Sequence, residues 1–267
     1  MQRISGEHCA HLWIGEWSMS LKALIFDVDG TLAETEELHR EAFNEVFATA
    51  GHGWHWDKDL YRRLLTVTGG KERIRHFLDT AGIDAGPDAE AAIAALHAAK
   101  NSLYASKVAA GVTLRPGILR LMREAMAAGL QLAIATTTSR SNLDALLGSA
   151  FGADEAMEFA AIVTGEDVGR KKPDPEAYRL ALERLRRRAD ECVAFEDSRN
   201  GVRAAQGAGL PVVVTPGIYT DHENFDEAEC VVSDLGEPGR PLRHLAGWRP
   251  AGGVIDLAAL REMSAGV

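Results

Sequence analysis

The sequence predicts an α/β fold class: a doubly wound parallel sheet with a Rossmann-like core and an inserted all-helical cap domain. From Leu21 onward, short β-branched runs alternate with longer amphipathic stretches, which is typical of a parallel sheet covered by helices. About a hundred residues separate the first run from the second, far more than one crossover requires. Because this interval contains no strand-like run, we expect it to form a separate helical domain.

Strand-like and helix-like segments follow a regular order along the chain. We expect strands at 23–26, 132–135, 161–163, 193–195 and 212–214. Within the long interval, helical patterns cover 35–50, 71–81 and 88–108. Further on, Pro116 opens a helix that Gly129 closes, and Asp174 caps another helix with Pro175 in its first turn. These limits predict a core domain at 21–35 and 111–267, a helical cap domain at 36–110 and an N-terminal extension at 1–20.

Composition and charge exclude several classes of function. The chain has 267 residues, of which 46% are hydrophobic and 25% charged, as in globular domains. Lys and Arg total 29 against 39 Asp and Glu, and a net charge of −10 repels polyanions. We therefore expect neither nucleic acid nor an anionic membrane surface as a partner. No apolar run approaches the roughly 20 residues that span a bilayer.

The first twenty residues and the cysteines both indicate a cytoplasmic protein. Glu7 and Glu16 lie where a signal peptide would be apolar, and Met19 offers an alternative start before regular structure begins. Three widely spaced cysteines fit neither a disulfide framework nor a zinc knuckle; they are Cys9, Cys192 and Cys230. We therefore expect reduced thiols, and an extension in place of a targeting segment.

Acidic residues follow two of the predicted strands. Asp27-Val28-Asp29-Gly30-Thr31 comes directly after the first strand, and Glu196-Asp197-Ser198 ends the fourth. The carboxyl ends of parallel strands meet at one crevice, where clustered carboxylates repel each other unless a cation neutralises them. The pattern therefore indicates a metal site at this edge of the sheet. A turn with Asx capping would explain Asp29-Gly30 alone.

Two further segments suit an anion. The second strand ends in Thr136-Thr137-Thr138-Ser139-Arg140, which offers hydroxyl groups and a helix N-terminus to the same crevice. After the third strand, two prolines restrict the backbone around Lys172 and hold it in a loop before a helix. Ordinary helix capping by threonine and serine is the alternative interpretation of the first segment.

Four short motifs stand in a fixed order along the chain. They are Asp27-x-Asp29-Gly-Thr, Thr136 at the end of the second strand, Lys172-Pro-x-Pro and Glu196-Asp197-Ser198. In this order they resemble the four motifs of the haloacid dehalogenase superfamily, and the resemblance covers the chain from about residue 21 to 235. Halide-removing members lack an acid at the position of Asp29, so the resemblance implies phosphate chemistry.

The resemblance implies a role for each motif residue. Asp27 would attack phosphorus and form an aspartyl phosphate, which splits one difficult displacement into two steps. Asp29 would protonate the leaving alkoxide and then activate water, so that Asp27 is ionised and Asp29 protonated. Thr136 and Lys172 would hold oxygens of the transferring phosphoryl group. The expected cofactor is Mg²⁺, bound by Asp27, the main-chain carbonyl of Asp29, Glu196 and Asp197.

The helical insert resembles the cap of the subfamily that includes β-phosphoglucomutase, phosphoglycolate phosphatase and the CbbY-type sugar bisphosphatases. Such a cap closes over the crevice and excludes water. The candidate substrate-binding residues are Thr35, His39, Gly70, Lys71 and Arg73 in or near the cap, and Thr137, Thr138 and Arg140 after the second strand. Thr35 and His39 share one helix face. A packed histidine and solvated cations are the alternative interpretation.

The chain looks most like the CbbY-type enzymes in six segments, DVDGTLAETEELHR, TGGKER, ATTTSR, RKKPDPEAY, FEDSRNG and GGVIDL. This resemblance implies hydrolysis of xylulose-1,5-bisphosphate, a small phosphorylated sugar, and we expect a monomer. A β-phosphoglucomutase-like phosphoryl shuttle and a phosphoglycolate phosphatase are the enzymatic alternatives. Thr66-Val67 replaces the Lys-Gly of the β-phosphoglucomutase cap loop. An inactive binding protein on the same scaffold is the alternative from another class, and the intact acidic motifs disfavour it.

Overall fold

The computed structural model describes residues 21–151 and 157–265, so the expected N-terminal extension lies outside the described residues. Its strands are β1 (Ala23–Phe26), β2 (Gln131–Ala135), β3 (Phe159–Val163), β4 (Cys192–Glu196), β5 (Val212–Val214), β6 (Cys230–Val232) and β7 (His244–Gly247). They form one sheet in the order β3-β2-β1-β4-β5-β6-β7. Neighbouring strands are parallel, except that β7 runs antiparallel to β6.

The strand order is that of a doubly wound sheet, as predicted. From β1 the chain adds β2 and β3 on one side, and then returns to add β4 and β5 on the other side. All four residues of β1 are buried, because the strand is central and helices cover both faces of the sheet. In such sheets ligands bind where the strand order reverses, outside the carboxyl ends of the strands. The fold therefore indicates a ligand site at the residues that follow β1 and β4.

Four helices lie between β1 and the next helix of the core: α1 (Glu36–Thr49), α2 (Lys58–Leu64), α3 (Gly70–Ala81) and α4 (Ala89–Ala109). We call them the helical insertion. The remaining helices are α5 (Ile118–Ala127), α6 (Arg140–Phe151), α7 (Glu176–Leu185), α8 (Arg199–Gly207) and α9 (Leu257–Ala265). None of the helices in 21–151 and 157–265 is long and apolar enough to cross a membrane.

Four of these helices and strands were not predicted: α2, α9, β6 and β7. α2 has seven residues, too few to show a helical period. β6 and β7 have three and four residues, and neither forms a longer β-branched run. The five predicted strands are present, with ends that differ by at most two residues, because each is a buried apolar run bounded by polar or turn residues.

Most apolar residues of the helical insertion form a cluster of their own, while its Ala42, Tyr104 and Val108 pack in a cluster of the core. Side chains of β1 alternate between the two faces of the sheet, with Leu24 and Phe26 in one cluster and Ala23 and Ile25 in the other. The helical insertion packs around Trp56, which is fully buried. A separate apolar cluster is what an independent folding unit needs. The limits of the two domains at 36 and 110 stay a prediction.

The two linkers that join the helical insertion to the core run side by side. The outgoing linker, residues 27–35, follows β1, and the returning linker, residues 110–117, precedes α5. Ala33 in the first forms an isolated β-bridge with Leu114 in the second. The main-chain N–H of Arg115 also donates to the carbonyl oxygen of Leu32 at 2.8 Å. The residues just after β1 are therefore held both by the sheet and by the returning linker.

Candidate active site

A cavity of about 530 Å³ lies where the helical insertion meets the carboxyl ends of the central strands. On the core side it is lined by residues that include Asp27, Asp29, Thr136, Thr137, Thr138, Lys172 and Asp197. On the side of the helical insertion the lining includes His39, Gly70, Lys71, Arg73, His97 and Lys100. Most of the candidate residues predicted from the sequence thus face one cavity.

Asp27 and Lys172 form a buried ion pair on the core side of the cavity. Asp27 directly follows the last residue of β1, and its main-chain N–H donates to the carbonyl oxygen of Phe195 in β4 at 3.0 Å. Lys172 Nζ lies 2.7 Å from Asp27 Oδ1 and 2.6 Å from Glu196 Oε1. Its ammonium group therefore lies between carboxylates that follow or end two adjacent strands.

Asp27, Glu196 and Asp197 form a group that could hold a metal ion. One oxygen atom from each lies within 4.8 Å of the other two, and all three residues are buried. Within 21–151 and 157–265, Glu196 Oε2 has no hydrogen-bond partner, which is costly for a buried carboxylate. An all-oxygen set of this kind suits Mg²⁺. The residues present therefore fit the predicted cofactor, while the contribution of the Asp29 carbonyl stays a prediction.

Two glycines allow the carboxylates to come this close. Gly30 has a φ of +83°, and a Cβ atom there would collide with the Asp197 carboxylate. A Cβ atom at Gly201, in α8, would collide with the carboxylate of Glu196. Any larger residue at either position would have to displace a carboxylate of this group.

The environment changes the pKa values of these buried groups. Burial raises the pKa of Asp27 to about 7, although Lys172 opposes this effect. Burial, together with the charges of Asp27 and Glu196, raises the pKa of Asp197 well above its ordinary range. Burial also opposes the charge of Lys172, but the two carboxylates raise the pKa of this lysine above its ordinary value. A cation beside the carboxylates would favour their ionised forms.

Asp29 belongs to a different hydrogen-bond network, although it lies only two residues from Asp27. Its Oδ1 accepts hydrogen bonds from Thr35 Oγ1 at 2.6 Å, from His39 Nε2 at 3.0 Å and from Tyr104 OH at 3.2 Å. His39 also lines the cavity, whereas Thr35 is fully buried and is absent from the described lining. The two residues predicted to share a helix face thus both contact Asp29.

A lysine from α4 completes the network around Asp29. Lys100 Nζ lies 2.5 Å from His39 Nδ1, so we assign the histidine proton to Nε2, which donates to Asp29. Burial opposes the ionisation of Asp29, but His39, Thr35 and Lys100 together lower its pKa below the ordinary value. The donors around Asp29 thus favour its ionised form by themselves, while the predicted ionised Asp27 and protonated Asp29 of the metal- and substrate-bound enzyme stay a prediction.

The segment after β2 faces the cavity with three threonines, Thr136, Thr137 and Thr138. Thr136 Oγ1 accepts a hydrogen bond from the main-chain N–H of Thr138 at 3.2 Å. Arg140, the first residue of α6, is not among the described residues that line the cavity. It is exposed, and its Nε lies 2.8 Å from Asp144 Oδ1. The structure therefore does not bring Arg140 to the other candidates, since its helix position directs it to solvent.

The N-terminus of α3 contributes Gly70, Lys71 and Arg73 to the opposite side of the cavity. Arg73 is buried, and its Nη1 donates to Tyr61 OH at 3.1 Å. Lys71 is exposed. α3 therefore contributes one buried cation, Arg73, and one exposed cation, Lys71, to this side of the cavity.

Comparison with known proteins decides the family. A family model described as haloacid dehalogenase-like hydrolase matches residues 21–209. The chain belongs to this family. The family resemblance predicted from the four motifs is thereby confirmed.

Relatives of this hydrolase are similar over most of its length. It is 50% identical over 245 residues to the plasmid-encoded protein CbbY of Cupriavidus necator, covering 90% of this chain and 96% of that protein. It is 32% identical over 191 residues to a phosphorylated carbohydrates phosphatase of Thermotoga maritima, covering 71% and 82% of the two chains. The predictions of a CbbY-like sequence and of a phosphatase-type hydrolase are therefore confirmed.

A solved structure shares the fold at similar identity. The crystal structure of a CbbY variant from Rhodobacter sphaeroides in complex with xylulose-1,5-bisphosphate matches the hydrolase with a TM-score of 0.77 and 50% identity. The match covers 82% of this chain and 96% of the CbbY chain. The roles of single site residues, the monomeric state and the cytoplasmic location stay predictions.

Sequence reasoning missed the residues that α4 brings to the site of the hydrolase. Lys100 and Tyr104 contact the network of Asp29, and His97 lines the cavity beside Gly70. Because the start of this helix is rich in alanine, its sequence is typical of a helix in an apolar core. The polar face of the helix was therefore not predicted. One signal was present, because Lys100 is the only charged residue between Glu90 and Lys107. A lone lysine in an apolar helix is buried only where it has a partner.

Proposed function

We propose that this hydrolase is a Mg²⁺-dependent phosphatase that acts on a sugar phosphate, xylulose-1,5-bisphosphate, through an aspartyl phosphate on Asp27. The observation that carries the proposal is the buried Asp27–Lys172 pair beside a second aspartate, Asp29, in a separate network. Two neighbouring carboxylates in different environments are what nucleophilic and acid–base roles require. An inactive binding protein on the same scaffold would have no comparable need for both carboxylates at one cavity.

In the first step, an oxygen of Asp27 forms a bond to phosphorus, and the bond from phosphorus to the sugar oxygen breaks. Lys172 Nζ contacts Asp27 Oδ1, so the other oxygen is available for attack. In this mechanism the ammonium group of Lys172 also stabilises the negative charge that develops on the transferring group, which is worth about 3 kcal/mol in a site that excludes water. Asp27, Glu196 and Asp197 would hold Mg²⁺, which supplies further positive charge when bound.

In this mechanism Asp29 is protonated when the substrate is bound, gives that proton to the leaving sugar oxygen and takes one back from the attacking water, so that hydrolysis of the aspartyl phosphate restores Asp27. For this role its carboxylate must exchange hydrogen bonds with Thr35, His39 and Tyr104 for one with the substrate. Once Asp29 has given up its proton and is negatively charged, it can again accept a hydrogen bond from His39 Nε2, which lies 3.0 Å from Asp29 Oδ1. Positioned acid–base groups contribute about 10²–10⁴-fold to the rate.

The side of the cavity formed by the helical insertion supports a substrate with a second anionic group. Lys71, Arg73 and His97 lie across the cavity from the Asp27 carboxylate, and their positive or polar groups suit a phosphate. The CbbY relative solved with xylulose-1,5-bisphosphate and the relative that is a phosphorylated carbohydrates phosphatase both support a phosphorylated sugar. These observations favour a bisphosphate over a small monophosphate.

The test is phosphate release with Mg²⁺ from xylulose-1,5-bisphosphate, compared with ribulose-1,5-bisphosphate, 2-phosphoglycolate and β-glucose-1-phosphate at matched concentrations. We expect kcat/KM for the first compound to exceed the others by about 100-fold or more, or about 2.7 kcal/mol of transition-state discrimination. Slow and equal turnover of all four would contradict the proposed substrate. Glucose-6-phosphate formed from the last compound would instead identify a phosphoryl shuttle.

A further inference from the structure

A buried arginine outside the cavity connects both linkers to the site. Arg115 lies in the returning linker and is 9% exposed. Its guanidinium group donates to four main-chain carbonyl oxygens, and Nη1 also lies 3.2 Å from Glu34 Oε1 in the outgoing linker. The four carbonyl groups belong to Gly30, Thr215 at 2.8 Å, Pro216 at 3.0 Å and Ser233 at 3.0 Å.

The first of these carbonyl groups is adjacent to Asp29. The main-chain N–H of Gly30 donates to the carbonyl oxygen of Ala33 at 2.8 Å, and its carbonyl accepts from Arg115. Both peptide groups of Gly30 are therefore fixed. This in turn orients the main-chain carbonyl of Asp29, which shares a peptide plane with the Gly30 N–H.

Two of the other carbonyl groups, those of Thr215 and Pro216, lie directly after β5 at the start of the segment that contacts Asp197. Thr220 Oγ1 donates to Asp197 Oδ2 at 3.3 Å and accepts from the main-chain N–H of Gly217 at 2.9 Å. Arg115 holds the start of this segment at Thr215 and Pro216. One side chain thus ties the loop of Asp29 to the loop that supports Asp197, although these loops follow different strands.

We propose that Arg115 is a positioning residue for the hydrolysis, which holds Asp29 and Asp197 at the separation that the reaction needs. This inference rests on the proposed function. Removing the guanidinium group would leave four buried or half-buried carbonyl groups to find other donors. A displacement of about 1 Å in a catalytic group can reduce the rate by about 10²-fold.

Arg120 provides a matched control for a purely structural role. It also ties main-chain carbonyl groups together through Nη2, at 3.0 Å from Leu235, 3.1 Å from Gly236 and 3.0 Å from Ile255. None of these three residues belongs to the described lining of the cavity. Replacing Arg120 should therefore weaken the fold in a similar way without moving Asp29 or Asp197.

The experiment compares Arg115→Met, Arg115→Lys and Arg120→Met by steady-state kinetics at a temperature where circular dichroism shows all three folded. We expect Arg115→Met to lower kcat about 10- to 100-fold with KM changed less than about 3-fold, since the loss affects orientation of the reacting groups. Arg115→Lys should recover part of kcat, because its three donors can reach some of the carbonyl groups. Arg120→Met should keep both constants within about 2-fold of wild type.

Hydrogen exchange provides a readout that does not depend on activity. Segments 28–34 and 215–220 should exchange faster in Arg115→Met and should remain unchanged in Arg120→Met. Equal kcat in Arg115→Met and wild type, or equal losses in both methionine variants, would overturn the inference. If wild type hydrolyses none of the sugar phosphates, the proposed function fails. Unchanged exchange in Arg115→Met would then separately overturn the role of Arg115.

Discussion

Asp27 and Asp29 are two residues apart on one loop, yet their carboxylates belong to different parts of the molecule. Asp27 is surrounded by core groups, with Lys172 between it and Glu196. Asp29 accepts its hydrogen bonds from the outgoing linker and the helical insertion, through Thr35, His39 and Tyr104. The difference shows that the environments of two identical side chains are decided by their neighbours in the fold and not by their spacing along the chain.

The pKa values of the two carboxyl groups are also shifted in opposite directions. Burial among other carboxylates raises the pKa of Asp27 to about 7, so this group needs cations to remain ionised. Donors and Lys100 hold the pKa of Asp29 below its ordinary value despite burial. In the proposed mechanism Asp27 therefore depends on neighbouring cations, whereas Asp29 must change its hydrogen bonds before it can hold a proton.

The largest expected effect is that of replacing Asp27, the proposed nucleophile. Asp27→Asn should lower kcat by at least about 10⁴-fold, because an amide oxygen cannot form the acyl phosphate. Phosphate release under saturating substrate measures the loss, and circular dichroism checks that the variant is folded. Turnover within 10-fold of wild type would assign the covalent step elsewhere.

Replacing the second aspartate should have a smaller effect. Asp29→Asn should lower kcat about 10²- to 10⁴-fold, since it removes the acid–base group but leaves Asp27 and Lys172 in place. The loss should shrink for substrates with a better leaving group, such as a nitrophenyl phosphate, because their oxygen needs no proton. Equal losses for good and poor leaving groups would contradict the acid role.

Metal binding should distinguish the two carboxylates without any measurement of activity. Mg²⁺ at about 100 times its Kd should stabilise wild type by about 2.7 kcal/mol. We expect Asp27→Asn to reduce this gain strongly and Asp29→Asn to retain most of it, since the carboxylate group that fits a metal comprises Asp27, Glu196 and Asp197. Thermal unfolding with and without Mg²⁺ tests this expectation. Similar losses in both variants would remove the distinction.

The pH dependence of stability should also differ between the two variants. Asp27 has an ordinary pKa of 3.8 and a folded pKa of about 7, so the folded state binds the extra proton and stability falls as pH rises through this window. Removing the group should therefore stabilise the variant relative to wild type by about 1–3 kcal/mol more at pH 8 than at pH 5.

Asp29 is the control for this pH series. Its folded pKa is lowered from 3.8, so its stabilisation is present above pH 3.8 and is lost only as pH falls below that value. The ionisation of Asp29 itself therefore adds no pH dependence from pH 5 to pH 8 to the difference in unfolding free energy between Asp29→Asn and wild type. A slope there comes from Lys100, whose pKa burial lowers to about 7 and the charge of Asp29 raises. Urea unfolding in Mg²⁺-free buffer measures both variants, and parallel curves for the two would contradict the pKa contrast.

The smallest expected effect concerns one donor of the second network. Tyr104→Phe removes the longest of the three hydrogen bonds to Asp29, at 3.2 Å. We expect a loss of about 1 kcal/mol in unfolding free energy and a change in kcat of less than about 5-fold, since Thr35 and His39 still hold the carboxylate. Chemical denaturation and the standard assay test both values, and a loss as large as that of Asp29→Asn would show that Tyr104 itself has a direct role.

The parts of the fold that could be predicted are those with a local signature. β1 and β5 were predicted with their observed bounds, because short apolar runs bounded by polar or turn residues indicate buried strands. The short α2 and the edge strand β7 have no such signature. The helical insertion could be predicted from the length of chain between the first two strands, and its limits at 36 and 110 stay a prediction.

The sequence by itself determined which residues meet at the sheet edge. Asp27, Thr136 and Asp197 follow strands directly, and parallel strands end at one edge, so their proximity is a consequence of chain order. The tertiary structure alone decided what surrounds Asp29 and where Arg140 points. Those contacts depend on how α4 packs against α1 and on the rotation of each helix about its axis. The rotation of a helix is set by its packing against distant parts of the chain. A local sequence pattern therefore does not predict it.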